Sequence, residues 1–302
     1  MIATRWTRRD ALLVLCSMGL MGCASGASGG APVHAPAPGP DRPGSLAEIE
    51  ARVGGRVGVF ALDTGDGRTL AHREDERFAM CSTFKWALAA AVLARVDRSE
   101  TTLGERVPYG KADLLEYAPV TAQHVAEGAL SIERLAQAAV TVSDNTAANL
   151  LLVKVGGPAG LTRFFRASGD QVTRLDRNEG ALNENAPGDV RDTTSPRAMV
   201  ALMRAVLCGD VLSRPSRDRL LGWMQGCGTG RKRLRAGFPA DWTVGDKTGT
   251  GSNGACNDLA IAAPPGRAPI LVAAYLGDSE AEGERLEEAH AAIARLVTAR
   301  LG

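Results

Sequence analysis

The chain has little net charge, few aromatic residues and few lysines. Among its 302 residues the formal charge is +1, aromatic residues make up 4%, and only five of the 35 basic residues are lysines. A nearly neutral chain has no electrostatic field that gathers nucleic acid or an anionic membrane surface. The composition therefore argues against nucleic-acid binding.

The sequence also lacks any paired spacing of cysteines. Scattered cysteines predict neither a zinc site nor a disulfide framework, although one bridge in an oxidising compartment stays open. We accordingly expect no metal and no cofactor. The six cysteines are Cys16, Cys23, Cys81, Cys208, Cys227 and Cys256.

The N-terminus carries the pattern of an export signal. Arginines at positions 5, 8 and 9 precede an apolar run over residues 11–20, which is too short to span a membrane permanently. The arginine pair resembles a twin-arginine signal, and Leu20-Met21-Gly22-Cys23 resembles a lipobox in which Cys23 would be acylated. Simple cleavage within residues 24–27, which leaves a soluble protein, is the alternative. We predict a periplasmic protein that a lipid tethers to a membrane, with residues 1–23 as the signal.

A linker and one folded region follow the signal. Residues 24–44 are mostly Gly, Ala, Ser and Pro with little to bury, which predicts a flexible linker. Residues 45–302 have an ordinary globular composition and are expected to form the folded part.

The hydrophobic patterns of residues 45–302 place strands at both ends and helices between them. We expect an α/β part from residues 45–80 plus 224–302, with an antiparallel sheet, and an inserted all-helical part over residues 81–223, with the functional cleft between them. Strands are predicted at 56–62, 68–73, 241–250, 258–263 and 269–276, and helices at 132–142, 146–155, 196–207 and 280–301.

Ser82 and Lys85 open a segment that is apolar on every face of a helix over residues 84–96, except at Lys85 and Arg95. A helix that is apolar all round is normally buried, so Lys85 is expected to lie in little water. Desolvation favours its neutral amine, and such a base one turn from Ser82 predicts an activated serine nucleophile. The alternative is that Ser82 only caps the helix and Lys85 extends its ammonium into solvent.

Two more motifs occur in order along the chain. Ser143-Asp144-Asn145 lies between two helical segments, and Lys247-Thr248-Gly249-Thr250-Gly251 lies on a predicted strand. Together with Ser82-Thr83-Phe84-Lys85, this set resembles the class A serine β-lactamases, within the superfamily of active-site-serine β-lactamases and penicillin-binding proteins. The resemblance covers residues 45–302 and implies a two-domain serine β-lactamase fold.

A fourth motif, Arg-Asn-Glu-Gly-Ala-Leu-Asn at residues 177–183, resembles the Ω-loop of class A enzymes, in which Glu179 and Asn183 would hold the hydrolytic water. In this family an ion pair between Arg177 and Asp192 would join the ends of the loop. The alternative is a solvated acidic loop. The family often has an aromatic residue and a proline where this chain has Asn178 and Gly180, which should loosen the loop.

The resemblance implies a mechanism that passes through an acyl-enzyme on Ser82. Backbone N–H groups of Ser82 and Thr250 would receive the oxyanion, Ser143 would pass a proton to the leaving nitrogen, and Glu179 would activate water. Whether Lys85 or Glu179 takes the serine proton stays open. Asp144 is expected to be structural.

The resemblance also implies a set of substrate-binding residues. Asn145 would bind the side-chain amide of the substrate, and residues of the Lys-Thr-Gly strand would bind its carboxylate. Arg233 would lie behind that strand, the alternative being a surface charge, and Tyr117 would form the wall of the cleft, the alternative being a packing residue. The implied set is Tyr117, Asn145, Asn183, Arg233, Lys247, Thr248, Gly249 and Thr250.

The expected function is hydrolysis of penicillins or cephalosporins, small-molecule substrates, by a monomer that confers antibiotic resistance. The alternatives are a D,D-peptidase that penicillin acylates, and a covalent β-lactam sensor that does not hydrolyse the drug. Glu179 and Asn183 argue against the peptidase. The position at which some carbapenem-hydrolysing members carry a partner for Cys81 is Gly251 here, so that disulfide is not expected.

Overall fold

The computed structural model describes residues 44–302. Within them the chain begins with a helix and three strands, continues through a mostly helical stretch, and ends with three strands and a helix. The helices are α1 (Leu46–Val53), α2 (Phe84–Asp97), α3 (Ile132–Thr141), α4 (Asn145–Val155), α5 (Gly157–Ala167), α6 (Pro196–Leu207), α7 (Arg214–Gln225) and α8 (Gly283–Leu301). The strands are β1 (Arg56–Asp63), β2 (Thr69–His72), β3 (Phe78–Ala79), β4 (Arg106–Pro108), β5 (Ala129–Ser131), β6 (Thr193–Thr194), β7 (Thr243–Thr250), β8 (Cys256–Ala263) and β9 (Ile270–Gly277).

One five-stranded sheet is built from both ends of the chain. Its strand order is β2-β1-β9-β8-β7, and every neighbouring pair is antiparallel. The predicted α/β fold, with an antiparallel sheet from both ends and an inserted set of helices, is confirmed. The inserted residues lie between β2 and β7 along the chain. In the sheet, β7 is the edge strand that directly follows them.

Both faces of the sheet are covered, and the strand residues alternate between the two cores. On β9, Val272 and Ala274 belong to the core under α1 and α8, whereas Leu271, Ala273 and Tyr275 belong to the core shared with the helices. Successive side chains of a strand point to opposite faces of the sheet. Because both sets on β9 are apolar, both of its faces are buried.

Helix α2 lies at the centre of the helical part. All of its residues from Phe84 to Ala94 are buried, as the uniformly apolar pattern predicts. The lysine in its first turn, Lys85, is fully buried with them. The fold therefore brings an ionisable amine into the core beside the serine that precedes it.

Several predicted helix ends are observed with their capping contacts. Ser131 accepts a hydrogen bond from Arg134 N at the start of α3, and Gly156 ends α4 in the left-handed conformation. Helix α6 begins at Pro196 after the cap Ser195 and packs against β1 and β9. The division into the two predicted parts, 45–80 plus 224–302 and 81–223, stays a prediction.

The described residues add two observations about cysteines and helices. Cys81, Cys208, Cys227 and Cys256 are free thiols, and Cys16 and Cys23 lie outside the described residues. Among residues 44–302, no helix combines the length and the hydropathy needed to cross a membrane.

Candidate active site

Ser82 lies in a short 3-10 turn, Cys81–Thr83, that leads directly into α2. Cys81 has φ of 46°, a left-handed conformation that few residues other than glycine adopt, so the turn before Ser82 is tightly constrained. Ser82 does not cap the helix. Its Oγ instead donates a hydrogen bond to Glu179 Oε1 at 2.8 Å.

Lys85 remains inside and does not reach solvent. Its Nζ lies 2.9 Å from Glu179 Oε1, 2.8 Å from the carbonyl oxygen of Ser143 and 2.5 Å from Asn145 Oδ1. Burial lowers the pKa of Lys85 below its usual value, and the neighbouring Glu179 carboxylate opposes that shift. Glu179 Oε1 therefore lies between the hydroxyl of Ser82 and the amine of Lys85.

Ser143 lies between two buried lysines. Its Oγ is 3.3 Å from Lys85 Nζ and 3.1 Å from Lys247 Nζ, and its backbone has φ of 60°. Lys247 is fully buried on β7, and burial, with the positive charge of Lys85 adding to it, lowers the pKa of Lys247 to about 8. This hydroxyl can pass a proton between the two amines.

Asp144 has a structural position, as expected. Its carboxylate caps α4 by accepting from Ala147 N at 2.9 Å and holds the backbone N–H groups of Val120 and Thr121, each at 2.9 Å. Asn145 N donates to the carbonyl oxygen of Tyr117 at 3.0 Å. Asp144 thus fixes the loop that presents Asn145 and Tyr117.

The Ω-loop brings Glu179 and Asn183 together. Asn183 Nδ2 donates to Glu179 Oε2 at 2.8 Å, which leaves Oε1 for Ser82 and Lys85. Arg177 Nε pairs with Asp192 Oδ2 at 2.6 Å across the two ends of the loop. The expected ion pair is therefore present, and the reading of residues 175–193 as only a solvated loop does not fit the buried Glu179.

Asn149 is a site residue that the sequence reasoning missed. Its Nδ2 donates to the carbonyl oxygen of Glu179 at 3.0 Å, and its Oδ1 accepts from Glu179 N at 3.0 Å. The available signal was its spacing, because residues 145 and 149 lie one turn apart on the same face of a helix. Asn149 fixes the backbone of Glu179 from α4.

Strand β7 forms the other wall of the site. Arg233 is buried, and it donates to the carbonyl oxygens of Gly249 (3.0 Å) and Asn257 (2.8 Å) and to Thr250 Oγ1 (2.7 Å). A Cβ on Gly249 would lie 2.6 Å from the carbonyl oxygen of Met80. The glycine therefore lets β7 approach the turn that carries Ser82, and Arg233 lies behind the strand and not on the surface.

The two remaining predicted binding residues, Thr248 and Tyr117, differ in their exposure. Thr248 is buried, and its Oγ1 lies 2.5 Å from Thr229 Oγ1. Tyr117 is 49% exposed, which leaves its ring available to a bound molecule. Within residues 44–302, no group of three or more His, Cys, Asp or Glu residues is arranged to hold a metal ion.

Comparisons with known proteins agree with this arrangement. The model of the Beta-lactamase enzyme family matches residues 44–301. Beta-lactamase AST-1 of Nocardia asteroides is 49% identical over 257 residues, covering 85% of this chain and 83% of the relative. The carbapenem-hydrolyzing beta-lactamase KPC of Klebsiella oxytoca is 46% identical over 258 residues, covering 85% and 88%.

Solved structures of class A beta-lactamases have the same fold. The structure of the class A beta-lactamase of the last common ancestor of Gram-negative bacteria is 57% identical in sequence. Its TM-score is 0.84, and the match covers 85% of this chain and 98% of that one. The putative class A beta-lactamase PenP from Rhodopseudomonas palustris is 52% identical with a TM-score of 0.83, covering 84% and 97%. Because the family model spans almost all of the described residues and these solved structures are class A enzymes, the chain belongs to the β-lactamase enzyme family, among its class A members.

Proposed function

We propose that this protein hydrolyses the amide bond of β-lactam antibiotics through an acyl-enzyme on Ser82 and so confers resistance. One observation carries the proposal: Glu179 Oε1 accepts from Ser82 Oγ at 2.8 Å while Glu179 Oε2 accepts from Asn183 Nδ2 at 2.8 Å. A carboxylate shared between a nucleophile and a second polar group can act in both the formation and the hydrolysis of an ester.

In acylation, Ser82 Oγ bonds to the lactam carbonyl carbon, and the carbon–nitrogen bond of the ring breaks. Glu179, which accepts the hydrogen bond from Ser82, and Lys85, 2.9 Å from the same carboxylate oxygen, form the base system that takes the serine proton, so Lys85 can still support acylation in Glu179→Gln. Ser143 gives its proton to the leaving nitrogen and is reprotonated from Lys85. Lys85 in turn holds the proton that came from Ser82, so Glu179 is again a carboxylate before deacylation. The N–H groups of Ser82 and Thr250 stabilise the oxyanion.

In deacylation, a water oxygen bonds to the ester carbon, and the bond from that carbon to Ser82 Oγ breaks. Glu179, held by Asn149, takes a proton from the water, and a proton returns to Ser82. Asn183 orients the water with Glu179. The product is the ring-opened acid, and the enzyme is regenerated.

Substrate recognition is proposed to depend on a buried positive charge and on polar side chains beside Ser82. Lys247, Thr248 and Thr250 bind the substrate carboxylate, with Arg233 fixing Thr250 Oγ1 from behind. Asn145 binds the side-chain amide, Tyr117 forms the wall, and Gly249 keeps the strand close to Ser82.

The test is steady-state hydrolysis of benzylpenicillin and a chromogenic cephalosporin by the purified protein, with Glu179→Gln beside it. Wild type should turn over many equivalents, whereas Glu179→Gln should lose most of its hydrolysis. Glu284→Gln, an exposed carboxylate in the first turn of α8, is the matched control and should behave as wild type. A stable adduct without turnover in the wild type would overturn the proposal and indicate a peptidase or a sensor.

We further propose that the protein is exported by a twin-arginine signal and acts as a monomer in the periplasm, tethered by a lipid on Cys23. The support is the sequence of residues 5–23, which lie outside the described part of the chain. Cell fractionation tests it: Cys23→Ser should move the protein from the membrane fraction to the soluble periplasm. Equal membrane content of wild type and Cys23→Ser would argue against a lipid on Cys23. Gel filtration of the soluble Cys23→Ser protein tests whether it is a monomer.

A further inference from the structure

The Ω-loop is tied to the turn between β7 and β8 just after Asn183. Ser252 N donates to the carbonyl oxygen of Asn183 at 3.1 Å, and Asn185 Nδ2 donates to the carbonyl oxygen of Ser252 at 2.7 Å. Asn253 Nδ2 donates back to the carbonyl oxygens of Glu184 (3.3 Å) and Asn185 (3.1 Å). We call the side chains of Asn185 and Asn253 the amide clamp.

Besides the ion pairs of Arg177 with Glu184 (3.2 Å) and Asp189 (3.4 Å), this part of the loop has little other support. Among residues 180–190 only Leu182 is buried, and Val190 is 51% exposed. Gly180 has no side chain and no neighbour near its Cβ position. Segments with few buried apolar contacts are held mainly by their hydrogen bonds. The clamp therefore accounts for much of what fixes the loop beyond Asn183.

The clamp joins the loop to a firmly anchored turn. Asp278 N donates to the carbonyl oxygen of Asn253 at 2.8 Å, which ties the turn to the end of β9. Asn257, on β8, donates from Nδ2 to the carbonyl oxygen of Met80 at 3.2 Å, just before the nucleophile turn. A displacement of the loop relative to this turn is therefore a displacement relative to Ser82.

Both clamp residues have backbone conformations that suit asparagine. The φ angles are 34° at Asn185 and 52° at Asn253, in the left-handed region that asparagine enters more readily than most residues. The amide of Asn253 makes two hydrogen bonds across the gap from this conformation. Glycine at either position would keep the backbone unstrained and remove the amide.

We infer that Asn185 and Asn253 are positioning residues for deacylation, because they hold Asn183 beside Glu179 at a fixed distance from Ser82. Neither residue touches the reacting groups. Glu179 has its own support from Asn149 on α4, so its part in acylation survives loss of the clamp. Asn183, by contrast, directly precedes the segment that the clamp holds, and its carbonyl oxygen accepts from Ser252 N in the turn that carries Asn253. The inference rests on the proposed function.

The experiment measures acylation and deacylation separately in Asn253→Gly and Asn185→Gly, using benzylpenicillin, stopped-flow kinetics and intact-mass detection of the adduct. Deacylation should fall about tenfold to a hundredfold, since small misplacements of a positioned group have effects of that order. Acylation should stay within about twofold of wild type, so that kcat and KM fall together. Asn253→Asp, which keeps the shape and removes the donor, should behave as the glycine variant.

Ser99→Gly is the matched control, because Ser99 is exposed, lies after α2 and has φ of 58°. It relieves the same kind of backbone conformation away from the loop and should leave both rates unchanged. Unchanged deacylation in folded Asn253→Gly and Asn185→Gly, or equal loss of acylation and deacylation, would overturn the inference. Absence of turnover in the wild type would instead overturn the proposed function, so the two failures are distinguishable.

Discussion

At the scale of single residues, the site is defined by two lysines that have no contact with solvent. Lys85 and Lys247 are both fully buried, and Ser143 Oγ lies between them. Burial favours the neutral form of an amine, so both lysines can exchange protons at a pH where an exposed lysine stays charged.

The pKa of Lys247 predicts how substrate binding depends on pH. Burial lowers this pKa to about 8, so the ammonium is charged below that pH and becomes neutral above it. Because the charged form attracts the substrate carboxylate, KM should rise as the pH increases through about 8 while kcat changes less. Steady-state kinetics over this range measure it.

Lys247→Arg is the control for this pH dependence, because guanidinium stays charged over the whole range. Its KM should be higher than that of wild type and nearly constant with pH. A wild-type KM that stays constant well above pH 8 would contradict the assigned role of Lys247.

Asn149 allows a second prediction at the scale of one residue. Asn149→Ala removes both hydrogen bonds to the backbone of Glu179, so the free energy of unfolding should fall by about 1–3 kcal/mol. Turnover per folded molecule should also fall, because the backbone of Glu179 is no longer fixed by α4. Thermal unfolding and single-turnover kinetics measure the two effects.

Asn149→Asp serves as the comparison, since it keeps an acceptor for Glu179 N, loses the donor and adds a negative charge. Its turnover should lie between those of wild type and Asn149→Ala. Equal turnover in all three proteins would show that Asn149 does not position Glu179.

At the scale of the elements, β7 is held unusually close to the turn that carries Ser82. A Cβ on Gly249 would lie 2.6 Å from the carbonyl oxygen of Met80 and 3.0 Å from Thr83 N. Both are backbone atoms, which cannot rotate away as a side chain can. The short distance between β7 and the turn that carries Ser82 therefore requires a glycine at position 249.

Gly249→Ala should consequently destabilise the protein and impair acylation. Overpacking of this kind typically costs about 1–3 kcal/mol, and displaced N–H groups would no longer meet the oxyanion. Gly283→Ala, in the first turn of α8 with open space around its Cβ position, is the control and should not destabilise. Chemical denaturation measures the stability of each variant, and stopped-flow kinetics measure its acylation rate. An acylation rate of Gly249→Ala equal to that of wild type would contradict the account.

Elements with a strong local signal could be predicted from the sequence. Helix α2 shows a long run that is apolar on all faces, and α6 begins at a Ser-Pro pair whose serine caps it. Helix α1 was missed, although Ser45 and Glu48 form a capping box there. The helix has only eight residues and three buried apolar side chains, which is too little for its periodicity to stand out in the sequence.

The site was predictable only where a motif carries it. The groups around Ser82, Ser143 and Lys247 were located by short motifs, whereas Asn149 and the amide clamp depend on contacts between distant segments. A hydrogen bond between a side-chain amide and a remote backbone leaves no local pattern in the sequence. The structure was needed to find them.

At the scale of the whole molecule, the site depends on a sheet whose strands come from both chain ends. Strand β7 is joined through β8 and β9 to β1, and α1 and α8 cover the far face. The carbonyl oxygen of Leu301 accepts hydrogen bonds from arginines near the sheet, which ties the end of α8 to it. The catalytic cleft and the α8 core are therefore on opposite faces of one support.

This arrangement predicts that damage to the α8 core lowers stability without changing the chemistry. Ile293 is fully buried under the sheet, and Ile293→Ala should lower the free energy of unfolding by about 2–5 kcal/mol. The kcat/KM per folded molecule should match that of wild type. Val153→Ala, at a side chain that is 75% exposed, should cost less than about 0.5 kcal/mol. A changed kcat/KM in folded Ile293→Ala would show that the far face does influence the site.

The most direct test of the account is to locate the covalent adduct that accumulates when deacylation is blocked. Glu179→Gln would be mixed with benzylpenicillin, quenched in acid, digested and mapped by peptide mass. The account predicts one drug-sized addition on the peptide containing Ser82, absent from Ser82→Ala, while wild type under the same conditions is mostly free enzyme. An adduct on another residue, or no adduct with either protein, would contradict the central claim that Ser82 is the nucleophile and Glu179 releases it.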